Sequence, residues 1–239
     1  MNVVIPMAGR GKRFLDEGYK SPKPFIDVCG VPMIQRVVDN INMDANYIFI
    51  CLKEFLENHG DEFREIISIL PKHEIVVVDE VTKGAACTVL LCKDQINSDD
   101  ELIIANCDQL VLDPNYCENS VNFYRKQNAD GGILCFLNDS PKWSYVRMSG
   151  EKITEVVEKQ VISNVATVGI YYYRKGSYFV AAAENMIASN VVVNGEFYVA
   201  PAYNQMLMFG MSIVPYLINE MAGIGTPKDL REYLNASIT

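Results

Sequence analysis

The chain has 239 residues, 49% of them hydrophobic and 21% charged, with a formal net charge of −9. That composition excludes disorder, collagen and coiled coil as descriptions of the whole chain, and a chain of this length buries a core without staples. The acidic balance argues against a broad nucleic-acid or anionic-membrane contact while leaving room for one local anion site.

Val3-Val4-Ile5 is a short apolar run ending at Pro6, which predicts a buried strand. Residues 32–41 place Met33, Ile34, Val37, Val38 and Ile41 at helical spacing, with Pro32 suited to the first turn. Strands are predicted at 47–51, 74–78, 101–105 and 131–137, and helices at 55–70, 85–96 and 114–127. Alternating strands and helices indicate βαβ units and a parallel sheet, and strands without polar alternation suit burial on both faces. Beyond about residue 140 the rhythm changes. Strands at 144–148, 153–157 and 167–174 have little helix between them, and helices follow at 176–187, 198–209 and 227–234. No repeat or low-complexity linker interrupts the chain, so one domain over 1–239 is expected.

The seven cysteines are odd in number and form no CxxC pair, which suits reduced thiols in a cytoplasmic protein. With only His59 and His73 present, a histidine zinc site or a Ser-His-Asp triad is not expected. No apolar run reaches 18 residues and the amino-terminal residues lack the pattern of a secretion signal, so no membrane insertion is expected.

The chemistry concentrates after the first strand. Ala8-Gly9-Arg10-Gly11-Lys12-Arg13-Phe14 and Lys20-Ser21-Pro22-Lys23-Pro24 hold five of the 21 basic residues. Glycine lets the backbone approach a phosphate, and Arg and Lys stabilise a transferring phosphoryl group. In a doubly wound sheet such a loop lies at the carboxyl ends of the strands, where ligands bind. A dinucleotide fingerprint fails at Phe14, and a P-loop fails at Pro6 and Arg13.

Pro6 to Phe14, then Ser21-Pro22-Lys23-Pro24, then Gly30-Val31-Pro32-Met33-Ile34 together resemble the opening signature of the sugar-phosphate nucleotidyltransferases. The resemblance implies a Rossmann-like (GT-A-type) α/β fold with a mixed, mainly parallel sheet and helices on both faces. It implies a nucleotide-binding half over about 1–137 and an acceptor-binding half over about 138–239. In that family the backbone of Ala8, Gly9, Arg10 and Gly11 wraps the nucleotide phosphates, and Arg13 and Lys23 neutralise charge at the attacked phosphorus and the leaving pyrophosphate. Lys12 stands where many members carry Ser or Thr. Gly84 inherits a backbone contact to the nucleobase. Asp79, five residues earlier, replaces the Gln of many uridine- or thymidine-using members. A carboxylate only accepts hydrogen bonds, which suits the amino group of cytosine or the N1/N2 donors of guanine, so CTP or GTP is expected.

The resemblance continues along most of the chain. Asp108 closes Ala105-Asn106-Cys107-Asp108 and inherits the role of Mg2+ ligand. Glu155-Val156-Val157-Glu158-Lys159 and Thr167-Val168-Gly169 match the acceptor segment: Glu158 for hydroxyls, Lys159 for the acceptor phosphate, Gly169 for close approach. Gln160 replaces the usual Pro. Glu196 in Asn194-Gly195-Glu196-Phe197-Tyr198 inherits a second contact to acceptor hydroxyls. The late Asp that completes the family's metal site is missing from Val199 to Asn204, where water, phosphates or Asn204 would fill the shell. Gly225-Thr226-Pro227-Lys228-Asp229 matches a closing motif that is mostly structural. Trp143, Tyr145 and Tyr171 to Tyr173 either line the acceptor pocket or belong to the core.

The implied activity is transfer of a nucleotidyl group from an NTP to a phosphate monoester, most simply a sugar 1-phosphate, for capsule or surface-glycan precursors. The implied partners are the NTP and a phosphorylated small molecule, with no nucleic acid, and self-association stays open. The alternatives are a family 2 glycosyltransferase using a nucleotide sugar, or a non-catalytic nucleotide-sugar binder. Asn106 in place of the first Asp of an Asp-x-Asp weighs against the glycosyltransferase.

Overall fold

The computed structural model describes residues 1–236. The chain opens with β1 (Asn2–Pro6), the basic loop, the short helix α1 (Lys12–Asp16) and a 3-10 turn over Lys23–Phe25. A small hairpin, β2 (Asp27–Val28) and β3 (Val31–Pro32), leads into α2 (Met33–Ile41), β4 (Asn46–Leu52), α3 (Lys53–Ile67) and β5 (Lys72–Val78). Next come α4 (Ala85–Leu90), α5 (Lys93–Ile96), β6 (Leu102–Ala105), β7 (Gln109–Val111), α6 (Tyr116–Lys126) and β8 (Gly131–Leu137). The rest comprises β9 (Tyr145–Ser149), β10 (Lys152–Val157), β11 (Val165–Tyr173), α7 (Gly176–Ala188), α8 (Ala202–Met208), β12 (Ile213–Leu217), β13 (Met221–Gly223) and α9 (Pro227–Ala236).

The strands β6, β1, β4 and β5 pair in parallel in that order, the core of a doubly wound sheet. β11 runs antiparallel to β6 on one side and β8 on the other, and β12 adds to β8 in parallel. Successive residues of β1 feed opposite faces: Val3 and Ile5 enter one apolar core and Val4 the other. The stripe Met33, Ile34, Val37, Val38 and Ile41 packs α2 into the first core, and Phe179, Val180, Ala183 and Met186 pack α7 into the second. Helices therefore cover both faces, as expected for a mixed, mainly parallel sheet. No helix among the described residues is long and apolar enough to cross a membrane.

The sheet forks along β11. Tyr173 to Ile170 pair with Leu102 to Ala105 of β6, whereas Ala166 pairs with Tyr145 of β9. Between the two partners lies Gly169, at φ 95°, a left-handed backbone that favours glycine. A Cβ there would meet the side-chain amides of Asn106 and Gln109 at 2.4 Å. The fork thus opens a gap at the carboxyl end of β6, with the segments that flank the β9–β10 ribbon, 142–144 and 158–159, as its far wall.

Three expectations change. The helix predicted over 85–96 breaks after Leu90, because Cys92 turns into the core at φ −103°, ψ 27° and starts the separate segment α5. The helix predicted from 198 begins only at Ala202, because Phe197 gives its backbone groups to the 83–86 loop. β7, β12 and β13 were not predicted; β12 carries Pro215 and pairs with β8 alone, an edge position that tolerates proline.

Candidate active site

A cleft of about 720 Å³ occupies the fork. Its near wall is the β1 loop, contributing Gly9, Gly11, Lys12 and Arg13, and its floor is the end of β6, with Asn106 and Asp108. Gly11 adopts φ 62° as it opens α1, and a Cβ on it would stand 2.9 Å from Cβ of Lys23. The glycine is what lets the second basic segment fold against the first. Ala8 is buried under the loop, while Arg10, Lys12 and Arg13 are exposed; Arg10 lies outside the lining residues.

Lys23 and Asp108 meet here across 85 positions of sequence, with Nζ 2.5 Å from Oδ2. Burial alone would lower the Lys23 pKa, but the Asp108 carboxylate overrides it and the ammonium is held above its ordinary value. Gly225 makes room for this pair, since a Cβ there would fall 2.3 Å from Asp108 Oδ2. The Ile224 N–H donates to the Asp108 carbonyl at 2.9 Å, so the turn before α9 packs directly on the floor.

The far wall holds the residues expected for an acceptor. Glu158 is only 9% exposed and accepts a short hydrogen bond from Ser144 Oγ. Burial raises its pKa, and the nearby Glu196 adds to this, against the opposing pull of Ser144 and Lys159. Lys159 takes the left-handed conformation, φ 55°. Glu196 and Tyr198 enter from the segment before α8, and Trp143 and Tyr171 complete the aromatic lining. Tyr145, Tyr172 and Tyr173 lie in the core instead.

Gly84 has a packing role. At φ 130°, a Cβ on it would sit 2.5 Å from the backbone N and O of Phe197. The Phe197 N–H donates to Lys83 C=O at 2.8 Å, and the Ala86 N–H donates to Phe197 C=O at 3.0 Å. Asp79 stands exposed just beyond the carboxyl end of the edge strand β5, outside the cleft lining. Asn204 does not reach the site: its side-chain amide bonds the N–H and C=O of Val156 at 2.9 and 2.7 Å.

Sequence reasoning missed one corner of the cleft. Lys142 pairs with Asp229 at 2.8 Å, and Asp229 also accepts from Thr226 Oγ1 at 2.7 Å while donating its N–H back to that hydroxyl at 3.1 Å. This reciprocal cap starts α9, and burial of Asp229 is outweighed by Lys142 and Thr226, so its pKa falls. The Thr-Pro-Lys-Asp spacing carries the capping signal in the sequence, but nothing there says that the cap faces the cleft.

The donor set fits Mg2+ in one way. Among the described residues no three His, Cys, Asp or Glu side chains converge on a metal position. Asp108 offers one hard carboxylate in the cleft that the Gly9–Arg13 loop also lines, which suits an ion that takes most of its ligands from substrate phosphates and water.

A mixed, mainly parallel sheet with helices on both faces, carrying a glycine-bearing basic loop and a carboxylate at one edge, defines an α/β protein of the doubly wound class. The chain belongs to the nucleotidyl transferase family, whose model matches residues 2–207. It is 26% identical over 235 residues to the bifunctional protein GlmU of Thermotoga sp. (strain RQ2), covering 96% of this chain and 50% of that protein. The chain thus spans about half the length of the curated relatives it matches first. It is 24% identical over 246 residues to the UTP–glucose-1-phosphate uridylyltransferase AglF of Haloferax volcanii, covering 97% and 94% of the two chains. The nucleoside-diphosphate-sugar pyrophosphorylase structure from Vibrio cholerae RC9 shares the fold, with a TM-score of 0.82, 23% identity and coverage of 98% and 99%.

Proposed function

We propose that the protein transfers a nucleotidyl group from an NTP to a phosphate monoester, most simply a sugar 1-phosphate, and releases pyrophosphate. The observation that carries this reading is one cleft that joins the Gly9–Arg13 loop and the Lys23–Asp108 pair to the Glu158–Lys159 wall. An oxygen of the acceptor phosphate attacks the α-phosphorus in line, and the bond to the pyrophosphate oxygen breaks. Positioning and charge stabilisation supply the rate, with no covalent intermediate. The backbone from Ala8 to Gly11, with Arg10 and Lys12, cradles the triphosphate. Arg13 and Lys23 offset the charge that builds on the attacked and leaving groups. Mg2+ held by Asp108 with the phosphates would add charge neutralisation. Lys159 receives the acceptor phosphate, Glu158 and Glu196 accept its hydroxyls, and Gly169 permits its approach to the floor.

For the donor we propose CTP or GTP, on the acceptor-only chemistry of Asp79, with Gly84 at the base; the setting is cytoplasmic synthesis of a surface-glycan precursor. The test is pyrophosphate release with Mg2+, the common NTPs including dTTP, and a panel of sugar 1-phosphates and other phosphate monoesters. Release that depends on one NTP–acceptor pair is expected. A strong preference for UTP or dTTP would remove the role given to Asp79. No release across the panel, with tight binding of a nucleotide sugar, would replace the reading with a glycosyltransferase or a binder.

A further inference from the structure

Lys159 follows β10 in a left-handed turn whose backbone N–H donates to Trp143 C=O at 3.1 Å. That turn fixes where the side chain starts and leaves its far end free, and ordering a lysine chain costs up to about 2 kcal/mol of rotamer entropy. Tyr198 fixes the far end. The Lys159 ammonium donates to the Tyr198 hydroxyl and lies 4.4 Å from the ring centroid, so one side chain offers it both a hydrogen bond and a π face. Both residues line the cleft. Burial, aided by Glu196, keeps the Tyr198 phenol above its ordinary pKa against the pull of Lys159, so near neutral pH its hydroxyl accepts without carrying charge.

Tyr198 is itself anchored from the opposite half of the molecule. Its neighbour Phe197 is clamped by two backbone hydrogen bonds to Lys83 and Ala86, at 2.8 and 3.0 Å, against a glycine that leaves no room for a side chain. A rigid line therefore runs from the 83–86 loop through Phe197 and Tyr198 to the Lys159 ammonium, although these groups are far apart in sequence.

We propose that Tyr198 is a positioning residue that aims the Lys159 ammonium at the acceptor's phosphate, with the Gly84–Phe197 clamp as its anchor. The identity of that phosphate rests on the nucleotidyltransferase reading; the aiming of Lys159 does not.

The first readout needs no turnover. In a lysine-labelled sample, the ε-methylene resonance of Lys159, assigned by its loss in Lys159→Arg, should be displaced by the Tyr198 ring current. It should stay displaced in Tyr198→Phe and return to the ordinary lysine position in Tyr198→Leu. Titration with inorganic phosphate should move this resonance in the wild type and require several-fold more phosphate in Tyr198→Phe. An undisplaced resonance, or one that phosphate leaves unmoved, overturns the proposal.

The second readout uses the transfer reaction. Tyr198→Phe should raise the acceptor KM roughly 3- to 10-fold, the scale of a charge-assisted hydrogen bond discounted for exposure, with kcat and the NTP KM nearly unchanged. In a Lys159→Ala background the same change should add nothing. Additive effects, or an NTP KM that rises in step, would make Tyr198 a general structural residue. If the resonance behaves as expected but no acceptor turns over, the functional reading falls and the placement of Lys159 stands.

Discussion

Lys23 and Asp108 form the most constrained ion pair of the cleft, each side chain only 15% exposed. In the proposed reaction, removing the lysine takes away charge where pyrophosphate would leave, and it strands a carboxylate on the floor. Lys23→Ala should lower kcat/KM by on the order of 10²-fold, as for other lost electrostatic stabilisers, with little change in circular dichroism. Near-wild-type turnover would assign the lysine to Asp108 alone. Glu158 carries the converse burden, a carboxylate raised by its own burial. Unfolded, it titrates near its ordinary 4.5, and folded, above that. Between the two values the native state holds a proton that the unfolded state has released, so this contribution to stability is lost as pH rises through the folded value. Glu158→Gln should flatten the fall of Tm from weakly acid to neutral pH and raise Tm near pH 8, while weakening acceptor binding. A variant with the wild-type pH profile would show that the carboxylate is ionised at no cost. These residues could be found in the sequence because each sits in a short motif. Asp229 and Tyr198 also sit in motifs, but the motifs do not say, any more than for Lys142, that the packing of α9 and of the segment before α8 turns these side chains toward the cleft.

Among the elements, those with a long unbroken apolar pattern were legible: β1, β4, β6, β8 and α2 match their predicted places closely. Short pieces were not. β7 and β13 are three residues each and exist because they pair with one another, Gln109 opposite Gly223, which no local pattern announces. The resemblance gives Gly84 a contact to the nucleobase, and the packing adds a firmer reason for glycine: its Cβ position is filled by the Phe197 backbone. Gly84→Ala must both strain a φ of 130° and push apart the two segments that meet there. The cost should be roughly 3 kcal/mol or more, read as a lower denaturant midpoint at unchanged m. The acceptor KM should rise with it, because Tyr198 follows Phe197. A variant of unaltered stability that loses only nucleotide affinity would return Gly84 to a purely ligand-binding role.

At the scale of the molecule, the division expected near residue 137 does not divide the fold. β11 comes from the second half and lies between β6 and β8 of the first, so each half would leave the other an open sheet edge. Both cores are also shared: Val3 packs in the cluster that holds Leu230, and Val4 in the one that holds Met206. Neither half can bury its apolar faces alone, and the cleft exists only where the two meet. The chain should therefore unfold in one cooperative step. Trp143, the single tryptophan, stands on the far wall of the cleft and reports the site, while far-ultraviolet dichroism reports the whole sheet. The two signals should give the same denaturant midpoint and slope, and the fragment 1–137 should lack cooperative unfolding. A tryptophan transition at lower denaturant than the dichroism would mean that the far wall melts separately. The line from Gly84 to Lys159 would then join two folding units, and the β1-loop side of the cleft would remain native after its partner had unfolded.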